Sequence, residues 1–564
     1  MPVVNILKSR IRETFPTNKA DNLIEKLPFI GLDIEGIDKE KIRVEYNPNR
    51  PDFSSDTGIF RSLKGLINET VGLPKLKYSF NRSYKINIDQ KIKQVRPIIL
   101  FFVTTQKHKM TNFLLNELIS IQEDLHNGIA RGRKKASIGI HDLDKIKFPL
   151  IYTIKPPKES FVPLDQNSSL TFKEILNVTE VGKKYSHLVN KYNSFPALID
   201  DNNQILSFPP IINSNKTKVT NESKNLFIEI TGTNLEICKY ILAILAFYLF
   251  DEGFKIYSGN IYDERSVFSP LKIIKNKPII VNNDLINNYL GLDLTTKQII
   301  DLLHKSRLDG KILNKNKIKC LVPPFRNDII HPTDIVEEVA IGYGIDKLKP
   351  TLPFFQISSG LKNNDFNIFG NLRETLIGLG FLEMVNFTLI DYTLFTLFNQ
   401  NALEILERMK VSESKSKEHE FLRTNIIPSL MNNLSYNIHE EYPQKIFEIG
   451  KTFHLKSKIE ENWSLGAIIA SNNTSYTEIK SILQSIFKLN FGEEIITKKN
   501  QNDLFISGRS GDVFLQNEMV GFLGEISPKF ITKFNLRLPV SIFELNLSSL
   551  LRFIRQGKDN SFHT

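Results

Sequence analysis

The chain has 564 residues, 41% hydrophobic and 24% charged, ordinary globular usage that excludes wholesale disorder, collagen-like repeats and a long coiled coil. At roughly 150 residues per unit the length predicts about four domains. Two cysteines are too few for a disulfide framework or a four-thiolate zinc site and point to a reducing compartment, while 73 lysines and arginines against 62 aspartates and glutamates give a formal charge of +11, compatible with a polyanionic partner such as RNA.

The start, Met1-Pro2-Val3-Val4-Asn5-Ile6, lacks a basic stretch followed by an apolar run, so no export signal is predicted. A first unit of mixed helix and strand contains Tyr46-Asn47-Pro48-Asn49-Arg50-Pro51-Asp52-Phe53, where two proline turns in succession fix an irregular loop. A helical period resumes from Gly58 to Leu66, and the unit closes near Leu73-Pro74. From about residue 85 to 265 strands alternate with helices. Ile98-Ile99-Leu100-Phe101-Phe102-Val103 suits a fully buried strand, and Leu114, Leu115, Leu118, Ile121 and Leu125 mark one helix face. Phe227-Ile228-Glu229-Ile230-Thr231 alternates at period two ahead of an apolar helix from Leu235 to Phe250. That helix stops at Asp251-Glu252, short of the roughly 20 residues a membrane span needs, and is expected in a core. A smaller unit runs from about Pro270 to Lys349 and ends in the stiff connection Lys349-Pro350-Thr351-Leu352-Pro353. Mixed α and β follow. Residues 314–319 are expected as solvated turns and the tail from Gln556 to Thr564 as frayed. The absence of an internal repeat argues against solenoids and propellers.

The most pointed chemistry lies in Arg326-Asn327-Asp328-Ile329-Ile330-His331-Pro332-Thr333-Asp334-Ile335-Val336-Glu337-Glu338-Val339-Ala340-Ile341-Gly342-Tyr343-Gly344. Pro332 suits a first helical turn and Gly344 a C-terminal cap, framing a helix of about three turns. On it Asp334, Glu337 and Glu338 stand at i, i+3 and i+4 and share a face, while Ile335, Val339 and Ala340 can pack inward. Asp328 joins the group if the chain turns back at His331-Pro332. Such carboxylates repel one another unless a cation or basic partner offsets them, and an all-oxygen set suits Mg²⁺. Alternatively, acidic residues at a helix start answer its positive dipole end and remain in water. His331 is expected at the surface or as a cap. Arg131-Gly132-Arg133-Lys134-Lys135 is a basic turn that either meets phosphates or is solvated. In His141-Asp142-Leu143-Asp144, strand alternation sets His141 and Leu143 opposite Asp142 and Asp144, which argues against a metal. No P-loop, HExxH or GxSxG sequence occurs.

The run from Tyr46 to Phe53 is followed, in a distinctive order and spacing, by Ala136-Ser137-Ile138-Gly139-Ile140-His141-Asp142-Leu143-Asp144, Phe208-Pro209-Pro210-Ile211-Ile212-Asn213 and Ile230-Thr231-Gly232-Thr233. Pro324-Phe325-Arg326-Asn327-Asp328, Gly378-Leu379-Gly380-Phe381, Leu422-Arg423-Thr424, Ile446-Phe447-Glu448-Ile449-Gly450 and Tyr476-Thr477-Glu478-Ile479-Lys480 complete the series. On these pieces the chain resembles the β subunit family of phenylalanine–tRNA ligases, in the shorter archaeal and eukaryotic form, from its first residues to about Leu551.

The resemblance implies an α+β multidomain fold. It comprises an N-terminal α+β domain at 1–84, a tRNA-editing domain with a central sheet at 85–266, a small helical, winged-helix-like Mg²⁺-binding domain at 267–349, and a class II synthetase-like antiparallel sheet module lacking the active site at 350–564. It further implies a cytoplasmic ligase subunit, not bound to membrane, in a heterotetramer of two α and two β chains. There the α subunit binds ATP and phenylalanine and converts them, with tRNA(Phe), to AMP, diphosphate and phenylalanyl-tRNA(Phe). No residue of this chain is then catalytic for aminoacylation. The residues agree: a class II site needs an arginine on its ATP-facing strand and a late glycine-rich segment ending in arginine, and neither is read from Ile446 to Leu551. Gly521-Phe522-Leu523-Gly524-Glu525-Ile526 has glycines without the arginine. Asp328, Asp334, Glu337 and Glu338 match the family's Mg²⁺ ligands, for a structural or interface ion. The editing pocket, carried over position by position, is Leu198, Ser207, Glu229 and Thr231, with Glu229 where the archaeal pattern usually has aspartate. A synthetic pocket rejects an added hydroxyl only weakly, so a second site must detect that group on tyrosine mischarged to tRNA(Phe). Ser207, Glu229 and Thr231 can bond it, and phenylalanine leaves them unsatisfied. Two other classes remain open: a free-standing Mg²⁺-dependent phosphoester hydrolase and a noncatalytic tRNA-binding scaffold.

Overall fold

In the computed structural model of this chain, which describes all residues except 1, 16–22, 265, 351, 353–359, 362, 399–406 and 561–564, two units separate, Met1–Pro353 and Phe354–Thr564. Alternation in Val3–Leu7 and Lys41–Tyr46 buries Val4, Ile6, Ile42 and Val44 on one face of a small antiparallel sheet, completed by Leu32–Ile37. The helix Asp56–Leu66 covers that face with Ile59, Phe60 and Leu63. Its start is fixed by Ser55, whose side chain accepts the N–H of Gly58.

The next sheet has ten strands, and the run predicted at Ile98 is its strand Ile98–Thr105, paired with Asn225–Gly232. The apolar helix Leu235–Asp251 packs on both strands. Because the other side is covered as well, every residue from Leu226 to Gly232 is buried, Glu229 and Thr231 included. Two expected boundaries fall inside strands: Tyr78–Ile88 runs through 84/85 and Ser266–Phe268 through 266/267, both paired to Lys255–Asp263. The segment expected to be small and helical has the helices Asn283–Leu290, Thr296–Lys305 and Pro332–Tyr343, but also a three-stranded sheet. Its middle strand Lys317–Val322 overlaps the residues expected as solvated turns, because Ile318, Cys320 and Val322 alternate into the core between exposed Lys317 and half-buried Lys319 and Leu321.

In the second unit a seven-stranded sheet is antiparallel except for the edge strand Leu382–Glu383, which is parallel to Gln444–Leu455. Alternation again divides two faces. Phe447, Leu465, Leu523 and Phe543 meet the helices Asn364–Gly378, Tyr476–Phe491 and Leu547–Asn560, whereas Ile446, Ile468 and Ile542 meet Ile427–Tyr436. The last helix carries through residues 556–560, expected as frayed; 561–564, like part of the connection at 349–353, lie outside the described residues. Cys238 and Cys320 are buried and unpaired, and burial pushes both thiols up to about 12. Among the described residues no helix is long and apolar enough to cross a membrane.

Glu117 on the helix Asn112–Asn127 meets Asp56 and Glu252, the carboxylate trio whose oxygens lie within 4.8 Å of one another. Arg10 pairs with Asp56 at 3.2 Å and with Glu252 at 2.5 Å, and Tyr248 donates its hydroxyl to Glu117 at 2.7 Å. Burial, then the charge of Asp56, pushes the Glu117 carboxyl from 4.5 up to about 8. The folded chain therefore keeps a proton that the unfolded chain has released, so this group's contribution to stability falls as pH rises between about 4.5 and 8. Glu117→Gln is expected to flatten that part of the pH dependence and to stabilise the chain at pH 8. Urea unfolding across this range checks it, and parallel curves for the two proteins would contradict the assignment.

Candidate functional site

Ile98–Thr105, Asn225–Gly232 and Ala136–Asp142 lie side by side, and the register sets Phe227 opposite His141, Glu229 opposite Gly139 and Thr231 opposite Ser137. At period two these six positions share a face. Ile205–Phe208 belongs to the far end of the sheet order, yet Ser207 Oγ donates to Glu229 Oε1 at 2.6 Å. The sheet thus curls until its two ends meet over Glu229. Leu198, the cross-strand partner of Ser207, is fully buried and supports the contact without polar atoms of its own. Thr231 joins a neighbouring cluster: its Oγ1 accepts from Arg96 Nε at 3.0 Å and lies 2.9 Å from Ser137 Oγ. Arg96, itself buried, also donates to Thr231 O at 2.8 Å and Ser137 Oγ at 3.1 Å.

A cleft of about 770 Å³ opens along this edge, lined by Glu229, Ser137, Arg133, Glu123 and residues 208–214. Its volume suits a medium-sized ligand. Glu229 is 2% exposed, and its Oε2 has no hydrogen-bond partner. His141 is fully buried with Nδ1 2.8 Å from Thr217 Oγ1, while its Nε2 is also unpartnered and stands 3.6 Å from Glu229 Oε1, too far for a hydrogen bond. Gly139 makes this packing possible: a Cβ there would come within 2.5 Å of Glu229 Oε1 and 2.9 Å of His141 Nε2. The strand ends at Asp142, which caps the turn Leu143–Lys145, so the alternation expected through Asp144 stops short.

The basic run is not simply solvated. Arg131, Gly132 and Arg133 take φ of 54°, 59° and 63°, turning Arg133 inward to donate to the carbonyls of Pro210 and Ile211 at 3.3 and 2.9 Å and to Glu123 at 3.1 Å. Beside it, burial lowers the pKa of His126 to about 4. Its Nε2 accepts the N–H of Ile138, so Nδ1 carries the proton and donates to Glu123 at 3.1 Å. That bond, followed by the charge of Arg133, holds Glu123 down at about 2 despite its partial burial. Arg96, Gly139, Arg133 and His141 are the contributors that the sequence expectation omits. The pattern Ser137-x-Gly139-x-His141, on one strand face, is the signal that points to two of them.

The acidic segment forms the predicted helix, with Gly344 as its cap at φ 102°. Its four carboxylates do not converge freely. Buried Arg326 grips Asp328 with both arms, at 2.9 and 2.7 Å, and also pairs with buried Glu338. Arg326 holds Asp328 below the usual carboxylate range against the effect of burial. Asp334 Oδ2 accepts the N–H groups of Ile330 and His331 at 2.6 and 2.7 Å, closing a capping box with His331. Glu337 is exposed; partial desolvation, then the charges of Glu338 and Asp328, raise its carboxyl above the usual range. No three of these four carboxylates bring one oxygen each within 4.8 Å of one another, a spacing that Asp56, Glu117 and Glu252 do reach; only the chemistry of the donors, all oxygen with four carboxylates against one guanidinium, suits a hard divalent cation.

Residues 84–240 match the B3/4 domain family, 279–345 the tRNA synthetase B5 domain family and 348–547 the phenylalanyl tRNA synthetase beta chain CLM domain family. Over 97% of its length the chain is 34% identical to the phenylalanine–tRNA ligase beta subunit of Archaeoglobus fulgidus, covering 98% of that protein. The chain belongs to the phenylalanine–tRNA ligase beta subunit family. Its identity to the family member from Methanocaldococcus jannaschii is also 34%, over 97% of this chain and 100% of the other. A crystal structure of an N-terminal fragment of the phenylalanyl-tRNA synthetase beta subunit from Pyrococcus horikoshii superposes with a TM-score of 0.56 at 30% identity, covering 61% of this chain and 99% of the fragment. Within the family's domains, Ser207, Glu229 and His141 fall in the B3/4 match, and the four carboxylates fall in the B5 match.

Because Arg326 neutralises two buried or half-buried carboxylates, Arg326→Met leaves both unpaired. The expected loss is about 3–5 kcal/mol, read as a lowered midpoint in urea; an unchanged midpoint would show that the pairing carries no net stability.

Proposed function

We propose that the chain is the β subunit of a cytoplasmic phenylalanine–tRNA ligase, whose partner α subunit carries the synthetic site in a heterotetramer of two α and two β chains, and that its own cleft hydrolyses Tyr-tRNA(Phe). The observation that carries the editing reading is the buried Glu229, which lines the cleft and whose Oε2 has no hydrogen-bond partner. A phenol hydroxyl that reaches that oxygen donates to it, whereas a phenyl ring leaves it without a donor. Sites built to bond a substrate hydroxyl can discriminate by about 10⁴–10⁵. Ser207 fixes Oε1, and Arg96 fixes Thr231 and Ser137 along the same strand face. Hydrolysis adds water across the aminoacyl ester, releasing tyrosine and the 3′-terminal hydroxyl of the tRNA.

In the C-terminal module, the carboxylates on the sheet face covered by Ile427–Tyr436 are held by other groups of the chain, while Arg423 Nη1 has no hydrogen-bond partner. Arg423 pairs with Glu448 at 2.7 Å, and Glu544 accepts the N–H groups of Ile426 and Ile427 at 3.0 and 3.2 Å. This supports a module that braces the α subunit instead of binding ATP. Asp328, Asp334, Glu337 and Glu338 would hold a structural Mg²⁺, which when bound supplies positive charge against their mutual repulsion. A free-standing hydrolase built on the same carboxylates is disfavoured, since Asp328 and Glu338 are tied to Arg326.

Co-expression with the α subunit is expected to give a four-chain assembly by native mass measurement, phenylalanine charging that neither chain supports alone, and clearance of Tyr-tRNA(Phe) that falls in Thr231→Ala. A chain that stays monomeric and leaves charging unchanged defeats the proposal. For the metal, Mg²⁺ at about 100 times its dissociation constant is expected to add about 2.7 kcal/mol of stability. The gain should shrink in an Asp334→Asn, Glu337→Gln double variant, and an equal gain in both proteins would place the ion elsewhere.

A further inference from the structure

Glutamate at 229 has three side-chain torsions, so Ser207 alone, bonded to one oxygen, leaves the carboxylate free to swing about that contact. What opposes the swing is His141. Its ring is held from two sides, by Thr217 Oγ1 at 2.8 Å on Nδ1 and by Phe227, whose ring centroid lies 5.8 Å away at 41°. Its other nitrogen, Nε2, stands 3.6 Å from Glu229 Oε1 without a partner of its own, and Gly139 leaves the ground beneath both groups clear. A fully buried polar atom without a partner is costly, and two facing the same carboxylate site indicate function over stability. We infer that His141 is a positioning residue of the cleft. Acting through Glu229, it stands against the carboxylate oxygen that Ser207 bonds and limits the orientations open to Oε2, so that selection of a phenol over a phenyl ring depends on His141 as well as on Glu229. The inference rests on the editing reading above.

The test uses the complete αβ complex and preformed Tyr-tRNA(Phe) and Phe-tRNA(Phe), with deacylation kcat and KM measured for each. Asparagine places an amide near the position of Nδ1 and can keep the bond to Thr217; glutamine reaches the position of Nε2 and can face Glu229. For His141→Asn the expected result is a loss of at least about tenfold in the Tyr over Phe ratio of kcat/KM, carried mainly by KM for Tyr-tRNA(Phe). His141→Gln should restore most of that ratio. In Glu229→Gln the further change to His141→Asn should add little, because the residue it acts through is already altered. A merely structural histidine predicts the reverse order, with asparagine tolerated better than glutamine and both substrates affected alike, and that outcome overturns the inference. So does an unchanged ratio in His141→Asn when the unmodified complex edits normally. An unmodified complex that leaves Tyr-tRNA(Phe) intact removes the editing reading itself, and the role of His141 with it.

Discussion

A carboxylate taken out of water has to be met by a cation, by N–H donors or by a proton, since leaving it ionised and alone costs several kcal/mol. Each remedy occurs in this chain. Arg326 serves Asp328 and Glu338, and Arg423 serves Glu448. Backbone N–H groups serve Asp334 and Glu544, and Glu117 keeps its proton, with a pKa up at about 8. Glu229 is the partial exception: Ser207 satisfies one oxygen, and the other is buried with no donor. Everything proposed for the editing cleft follows from that single unsatisfied acceptor, because a hydroxyl-bearing ring relieves the cost and an unsubstituted ring does not.

The buried arginines explain how such carboxylates are placed. A guanidinium offers five N–H donors in a plane, so it can join strands, loops and helices at one point. Arg96 ties the segment before Ile98–Thr105 to Thr231 and Ser137 on two further strands. Arg326 ties the loop carrying Asp328 to Glu338, near the middle of the following helix. Arg423 reaches Glu448 and the carbonyl of Lys451, pinning Phe421–Leu422 across Gln444–Leu455. On that face burial pushes the Glu544 carboxyl up to about 7, with the amides of Ile426 and Ile427 opposing the shift. The same device thus orders the strand face beside the cleft in one sheet and fills the face of another.

Much of the architecture is written in periodicity. The apolar run at Ile98, the leucine face from Leu114 to Leu125, the apolar helix from Leu235 and the Pro332 to Gly344 helix all appear as elements within a few residues of their predicted ends. Where the periodic signal is diluted by charge, it is missed: two lysines, Lys317 and Lys319, hide the strand Lys317–Val322, although Ile318, Cys320 and Val322 alternate cleanly. Sites are harder because their contacts are remote along the chain. Helical spacing puts Asp334, Glu337 and Glu338 on one face, but nothing in it tells that Arg326 turns back to take Glu338. Likewise, a basic run suggests solvation, and only three consecutive left-handed residues send Arg133 inward. Ser207 and Glu229 meet because a ten-stranded sheet curls, a property of the whole sheet that no local pattern encodes.

The length of the side chain at 229 is part of the same geometry. Glu229 reaches across the curled sheet to Ser207 by lying over Gly139, its register partner, where even a methyl group would collide with the carboxylate and with His141. A shorter acid would not need that clearance, and a longer one without it would be forced off its rotamer. Residues 139, 141, 207 and 229 therefore form one steric unit drawn from three strands. Within it the glutamate, which resemblance marks as a departure from aspartate, is accommodated by a bare backbone on one side and a fixed imidazole on the other. Its extra methylene extends the acceptor toward the opposite end of the sheet, so the curl of the sheet and the reach of the side chain have to match.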